Sequence, residues 1–216
     1  SKAGEGLMTH WDMDPGARAA WQYLVGQRRV RRAPNVAYDT PDFVTSGVGF
    51  FDEAFMVFGP TDRHELKLVG KKELLVPYNN NRAAAASSDE LVKPGFLNPD
   101  LVRWEKHRVW VVEGTLKAGA RHIYAKRRFY LDEDSWFALA SDQYDARGQL
   151  YRGSFAFFTQ SYDVATPNTA PHVIYDLVGG SYNINGVVGP YGGIKYIEPL
   201  SKAQWSPEAL AGAGIR

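Results

Sequence analysis

A mainly-β fold, built on a large curved antiparallel sheet with few short helices, is what this sequence predicts. Three observations predict it. Residues 103–163 read as four strands in unbroken series, each joined to the next by a short turn. Their side chains alternate with period two, the repeat of a pleated strand. Aromatic residues make up 13% of the chain, and such side chains suit a pleated, half-buried surface.

In the first strand, residues 103–115, Trp104, Lys106, Arg108, Trp110 and Val112 fall on one face. Glu105, His107, Val109, Val111 and Glu113 fall on the other. Residues 117–120 form a hairpin turn and 121–131 the return strand. A turn at 132–135 leads to a third strand at 136–144, and one at 145–148 to a fourth at 149–162. Turns this short imply antiparallel neighbours, because parallel pairing needs long crossovers. Upstream, residues 1–19 read as an irregular lead-in, and 20–33 as two short strands around Val25-Gly26-Gln27. Residues 64–78 read as a strand bent at Gly70 and ending at Pro77. The polar, alanine-rich stretch 79–88 reads as a mobile loop, with a short helix in the alanine run as the alternative. Residues 34–62 carry an aromatic run from Phe50 to Phe58 and fit no assignment. Downstream, 172–177 is a strand, 179–193 a glycine-rich stretch, and Ser206-Pro207 opens a C-terminal helix as N-cap and first residue.

A sheet of eight or more strands has to curl, close or be covered, because open edges and bare apolar faces invite aggregation. With so little helix, a strongly curved or barrel-like sheet around an interior is expected. That interior is either a filled core or a cavity for an apolar ligand. The 216 residues suffice for one domain with its own core, and no linker divides them.

Composition removes several function classes. Without cysteine there is no disulfide, zinc-thiolate site or thiol nucleophile. Lysine and arginine total 25 against 24 acids, so no global field draws the chain to nucleic acid or to an anionic membrane. No apolar run reaches 18 residues, so nothing spans a bilayer as a helix. The five histidines lack metal-ligand spacing; His107 and His122 could meet across the 103–131 hairpin, but they read as ordinary strand residues. Asp132-Glu133-Asp134 reads as turn chemistry, and Gly186 to Gly193 lacks the context of a phosphate loop. With no nucleophile elbow or triad, no enzyme and no cofactor are expected.

The motifs themselves resemble a known family. GQRRVRRAPNVAYD at 26–39, LVGKKE at 68–73, NPDLVR at 98–103, HRVWVVE at 107–113, RHIYAKR at 121–127, YLDEDSW at 130–136, DQYD at 142–145 and RGQL at 147–150 follow one another in order. Together they resemble domain-of-unknown-function family 1329, from about residue 4 to the C-terminal Ala213-Gly214-Ile215-Arg216. The resemblance implies an exported Gram-negative protein with the fold of the lipoprotein carriers LolA and LolB, an unclosed antiparallel half-barrel around a hydrophobic cavity. It also implies that this chain is the C-terminal part of a longer protein with a signal peptide.

The function expected on these grounds is a periplasmic carrier or chaperone for a lipid, a lipoprotein acyl chain or another hydrophobic molecule. The alternative is an interaction subunit of an envelope transport complex, with an outer-membrane or efflux-type transport protein as partner, peripheral to the membrane. Candidate ligand-wall residues are the aromatic pairs Trp104 and Trp110, Tyr124 and Tyr130, and Phe155 and Phe157. Alternation alone does not decide which face is interior. Both faces carry aromatics, so the outer face is expected to be covered as well. The densest charge is Arg28, Arg29, Arg31 and Arg32. On a strand Arg29 and Arg31 share a face, a candidate contact for an anionic headgroup or an acidic partner.

Overall fold

The computed structural model describes residues 4–10, 18–33, 38–42, 45 and 47–213. Its centre is a seven-stranded antiparallel sheet, ordered β14-β13-β10-β9-β8-β7-β4. The strands are β4 (His64–Pro77), β7 (Trp104–Leu116), β8 (Lys126–Asp132), β9 (Ala138–Tyr144), β10 (Leu150–Ala156), β13 (His172–Asp176) and β14 (Ser181–Asn185). A separate sheet, β1-β2-β3, joins Gly6–His10, Ala19–Leu24 and Arg29–Arg32. Two short ribbons complete the strands: β5 (Val92–Lys93) with β6 (Phe96–Leu97), and β11 (Thr159–Ser161) with β12 (Thr166–Asn168). The helices are short: α1 (Asn81–Ala85), α2 (Ser88–Leu91) and α3 (Pro207–Ala213). No helix among the described residues is long and apolar enough to cross a membrane.

Local chemistry explains most boundaries. The β4 register slips between Leu68 and Gly70, and Gly70 takes φ +143°, the freedom a bulge needs. The Ser87 hydroxyl accepts from the Glu90 amide and the Glu90 carboxylate accepts from the Ser87 amide, a capping box that starts α2. Ser206 Oγ accepts from the Ala209 amide at 3.2 Å, capping α3 as its sequence predicts.

Register fixes the two faces of the main sheet. One row runs Val111, Tyr130, Ala140, Phe155, Val173 and Ile184 across β7 to β14. The adjacent residues Val112, Phe129, Ser141, Ser154, Ile174 and Asn183 form a row on the opposite face. On the first face, at the β10–β13–β14 end, Phe155, Val173, Tyr175 and Ile184 pack under Ala83 and Ala86 of the α1 segment, Leu91 and Leu97. Toward β4 the sheet rolls onto itself over this face. Strand β4 approaches both β9 and β10, although two and three strands separate them in the order. In a flat sheet that separation would be about 14 Å or more. Val76, Val109, Leu139 and Phe158 fill the roll, and Pro77 O accepts from the Phe158 amide at 3.4 Å. The curve is therefore that of an unclosed half-barrel, and no ladder joins the edges β4 and β14 among the described residues.

Several expectations change. The lead-in contains strand β1, paired to β2 from Gly6↔Tyr23 to His10↔Ala19; the rest of it, residues 1–3 and 11–17, lies outside the described residues. The stretch 79–88 holds helix α1, not a mobile loop, because Asn81–Ala85 docks by Ala83 into the core. The return strand starts at Lys126, not at residue 121, since residues 121–124 leave the ladder, His122 bonding Asp52 and the Ile123 amide bonding Asp39. The third strand starts at Ala138, two residues after the expected position. The fourth strand ends at Ala156, where Phe157 and Phe158 turn into two core clusters and residues 159–161 pair elsewhere. The glycine-rich stretch contains β14, and its Gly189 sits where a Cβ would lie 2.3 Å from Ala85 O, so only glycine permits that approach.

Candidate functional site

The second face of the main sheet carries an unusual row. Arg127 on β8, Gln143 on β9 and Arg152 on β10 stand side by side, and all three are buried. Buried cations need partners. The aromatic run supplies them: Phe51–Glu53 forms a 3₁₀ turn whose Asp52 and Glu53 are themselves buried against the sheet.

Asp52 Oδ2 accepts from Arg127 Nη1 at 2.6 Å and from His122 Nε2 at 2.8 Å. The Tyr124 amide donates to His122 Nδ1 at 3.0 Å, so the imidazole keeps its proton on Nε2, facing Asp52. Burial raises the Asp52 pKa, but Arg127 and His122 outweigh it and hold the carboxyl below its ordinary value. Glu53 Oε2 accepts from Arg152 Nη1 at 3.0 Å and from the Phe50 amide at 2.8 Å, while Glu53 Oε1 accepts from the Tyr124 hydroxyl at 2.5 Å. Here burial dominates and pushes Glu53 upward despite Arg152. His64 lies edge-on to His122, with ring centroids 4.9 Å apart, and burial lowers its pKa. These contacts pin residues 50–58 to the sheet.

Beyond the pins the backbone reverses. Phe55 and Met56 both adopt left-handed conformations, φ 52° and 73°. The reversal buries Met56 and leaves Phe55 65% exposed. Phe55 and Val57 thereby become one wall of a groove of about 420 Å³. Its floor is the sheet face at Leu66, Val112, Phe129 and Leu131, and its far wall is Trp136 and Phe137 after β8. Thr61 and Ser135 are its polar residues. The arrangement suits burial of an apolar chain and offers no charged group to a reacting centre.

The aromatic residues singled out from sequence are dispersed by the fold. Tyr124 is buried in the Glu53 cluster and lies in the loop before β8, not on a strand with Tyr130. Tyr130 donates to Asp142 Oδ2 at 2.6 Å beside the Val109 cluster. Phe157 is in the core under α1, with Phe155 packed against it. Trp104 meets Phe155 edge-on at 5.2 Å. Trp110 stacks on Trp136 at 5.9 Å and so supports the groove wall from behind. None of the six lines the groove itself. His107 and His122 do not meet: His107 stacks on Tyr78, and His122 faces Asp52. No set of three histidine or carboxylate side chains able to hold a metal occurs among the described residues.

Sequence reasoning passed over Asp52 and Glu53, although a signal was present. Two acids inside the run FFDEAFMVF cannot be on a solvated face while their neighbours are in a core, so they mark buried, paired charge. Phe129, Leu131 and Val112 were less visible, because both faces of these strands are apolar.

Comparison with known proteins agrees with this architecture. The model of the family named Protein of unknown function (DUF1329) matches residues 1–211. The chain belongs to that family. The match runs the length of the chain, so the narrower expectation of only a C-terminal half of the family pattern is corrected. The uncharacterized protein PA3922 of Pseudomonas aeruginosa is 42% identical over 219 residues, covering 99% of this chain and 48% of that protein. The chain thus spans about half the length of this relative. Among solved structures, an outer-membrane lipoprotein-sorting protein domain from Vibrio parahaemolyticus aligns with TM-score 0.64 at 14% identity, over 96% of this chain and 72% of that one. A DUF1329 family protein from Desulfovibrio piger aligns with TM-score 0.58 at 14% identity, over 97% and 72%. At such identities the likeness is one of fold.

Proposed function

We propose that the chain is a periplasmic, non-enzymatic carrier that holds the alkyl part of a lipid, a lipoprotein acyl chain or a similar hydrophobic molecule. The observation that carries this reading is the groove between Phe55, Val57 and the sheet, lined almost wholly by apolar side chains. Its capacity matches a single chain. Burying eight methylenes there contributes about 6 kcal/mol at roughly 0.8 kcal/mol each, before the cost of ordering the ligand. The fold-level likeness to a domain named for outer-membrane lipoprotein sorting supports the periplasmic placement.

Native mass spectrometry of gently purified protein, together with titration of a fluorescent fatty acid, tests the reading. A co-purifying lipid or saturable probe binding is expected, and Val112→Asp in the groove floor is expected to weaken probe binding at least tenfold. A groove that takes neither lipid nor probe ends the proposal.

A second reading is favoured by one observation. Phe55 and Trp136, on opposite rims, are 65% and 62% exposed. Exposed aromatics of this kind anchor protein interfaces, so the groove could serve an envelope transport protein instead. A partner whose binding is lost in Trp136→Ala, with probe binding intact, would select it.

A further inference from the structure

Among the described residues, the arginines of β3 differ from most cations of the main sheet. Along the main sheet, most cations are matched by carboxylates: Lys106 with Glu73, Arg108 and Lys71 with Glu133, Arg128 with Glu113, Arg127 with Asp52 and Arg152 with Glu53, while Lys67, Lys72 and Lys126 stand apart from one another without an ion pair among the described residues. On β3 and the residue before it, Arg28, Arg29, Arg31 and Arg32 are all exposed, and no ion pair to any of them occurs among the described residues. Strand β3 is an edge strand of its sheet. A chain of formal charge +1 thus keeps four unneutralised cations within five positions.

A second observation lies beside them. Trp21 is the register partner of Arg32. Together with Trp205, Leu200 and Pro207 it lines an open hollow of about 570 Å³, whose other side chains are His10, Lys202 and Ser206. No carboxylate is in this lining, and Trp205 is 63% exposed. Indoles beside aliphatic groups and cations are the composition of a bilayer interface, where tryptophan settles at headgroup depth and arginine forks onto phosphate.

The geometry favours a plane. By alternation Arg29 and Arg31 point to one side of β3 and Arg32 to the other. No concave protein pocket gathers both sets, but an edge strand set down on a flat surface brings both to it. We propose that this side of the molecule docks onto an anionic phospholipid surface, with the β3 arginines at the phosphates and Trp21 and Trp205 at the headgroup boundary. The inference goes beyond the carrier reading and does not depend on the groove.

Flotation of the protein with vesicles of phosphatidylcholine, alone or mixed with phosphatidylglycerol, tests it. Binding is expected only with the anionic lipid and is expected to fall as salt rises. Tryptophan emission is expected to shift to the blue on binding. Arg29→Gln with Arg31→Gln, both at exposed positions, is expected to lower partitioning about 25-fold, about fivefold for each cation. Trp205→Ala is expected to abolish most of the emission shift. Absence of vesicle binding, equal binding to neutral vesicles, or unchanged partitioning of the double variant overturns the proposal. So does binding to an acidic protein without any to vesicles.

Discussion

The main sheet pairs charges in two regions, and the same chemistry has different weight in each. At the open end, Lys106 meets Glu73 at 2.6 Å and Arg108 meets Glu133 at 2.6 Å, with both cations largely in water. Under residues 50–58, Asp52 meets Arg127 and Glu53 meets Arg152 at 2.6 and 3.0 Å, all four nearly out of water. Distance does not separate the two sets; solvent does. An exposed pair trades hydration for a screened attraction, whereas a buried one has lost its hydration and depends wholly on its partner. The buried pairs therefore act as pins: they fix where the aromatic run lies, and with it the wall of the groove.

The largest effect should come from pulling one pin. Arg127→Ala leaves Asp52 buried with His122 as its remaining side-chain partner and no opposing guanidinium, and is expected to lower stability by about 3 kcal/mol in urea denaturation. Arg127→Met with Asp52→Leu, which removes both charges and keeps the volume, should recover most of that loss. If the single variant costs no more than a surface substitution, the contrast between the two regions fails.

Acid sharpens the comparison next. Burial pushes His172, which faces Phe55, down to about 4 from an ordinary 6.5. Between these values the unfolded chain binds the proton that the folded chain refuses, so stability is full above about pH 6.5 and falls on acidification. At pH 5 the loss is about 2 kcal/mol. The lowered Asp52 acts in the same direction, its contribution being lost as pH falls through its folded value. Glu53, raised by burial, acts oppositely: its contribution fades as pH rises through its folded value. Thermal melts from pH 7.5 to 4.5 should show an acid decline that His172→Gln makes shallower.

Smaller effects are expected away from the pins. Ser206→Ala removes the cap of α3 and should cost about 1 kcal/mol, read as a lower melting midpoint. Lys106→Ala at the open end should leave the midpoint unchanged, and a clear drop there would mean that exposed pairs matter more than their solvation allows.

Much of the frame was legible in the sequence. The strands β4, β7 to β10 and β13 and the β2–β3 hairpin announce themselves through alternation and turns, and Ser206-Pro207 announces α3, because all these signals are local. The misses share a different cause. Strand β1 lies in a polar, Gly-rich lead-in and exists through its ladder with β2. Helix α1 is decided by Ala83 entering the core, although its Asn and Ser neighbours read as loop. In the run from Phe155 to Phe158, continuous apolarity hides the strand end at Ala156. The groove is harder still, since Phe55 and Val57 reach Phe129 only after Asp52 and Glu53 have found arginines 75 and 99 residues away. Such pairing is a property of the tertiary fold, and no window along the chain contains it.

The edge strand β4 has a consequence for how this protein behaves in a crowd. Alternate residues of this fourteen-residue strand point backbone donors and acceptors away from β7, next to exposed Leu66, Leu68, Val69 and Leu75. That is a template for recruiting a further strand from any neighbour. Lys67, Lys71, Lys72 and Glu73 interrupt it with charge, and the Gly70 bulge spoils its straightness. Charge and a bulge at these positions hinder two copies of the chain from continuing each other's sheet. Their worth is measured in solubility at high concentration, not in the melting of a dilute sample.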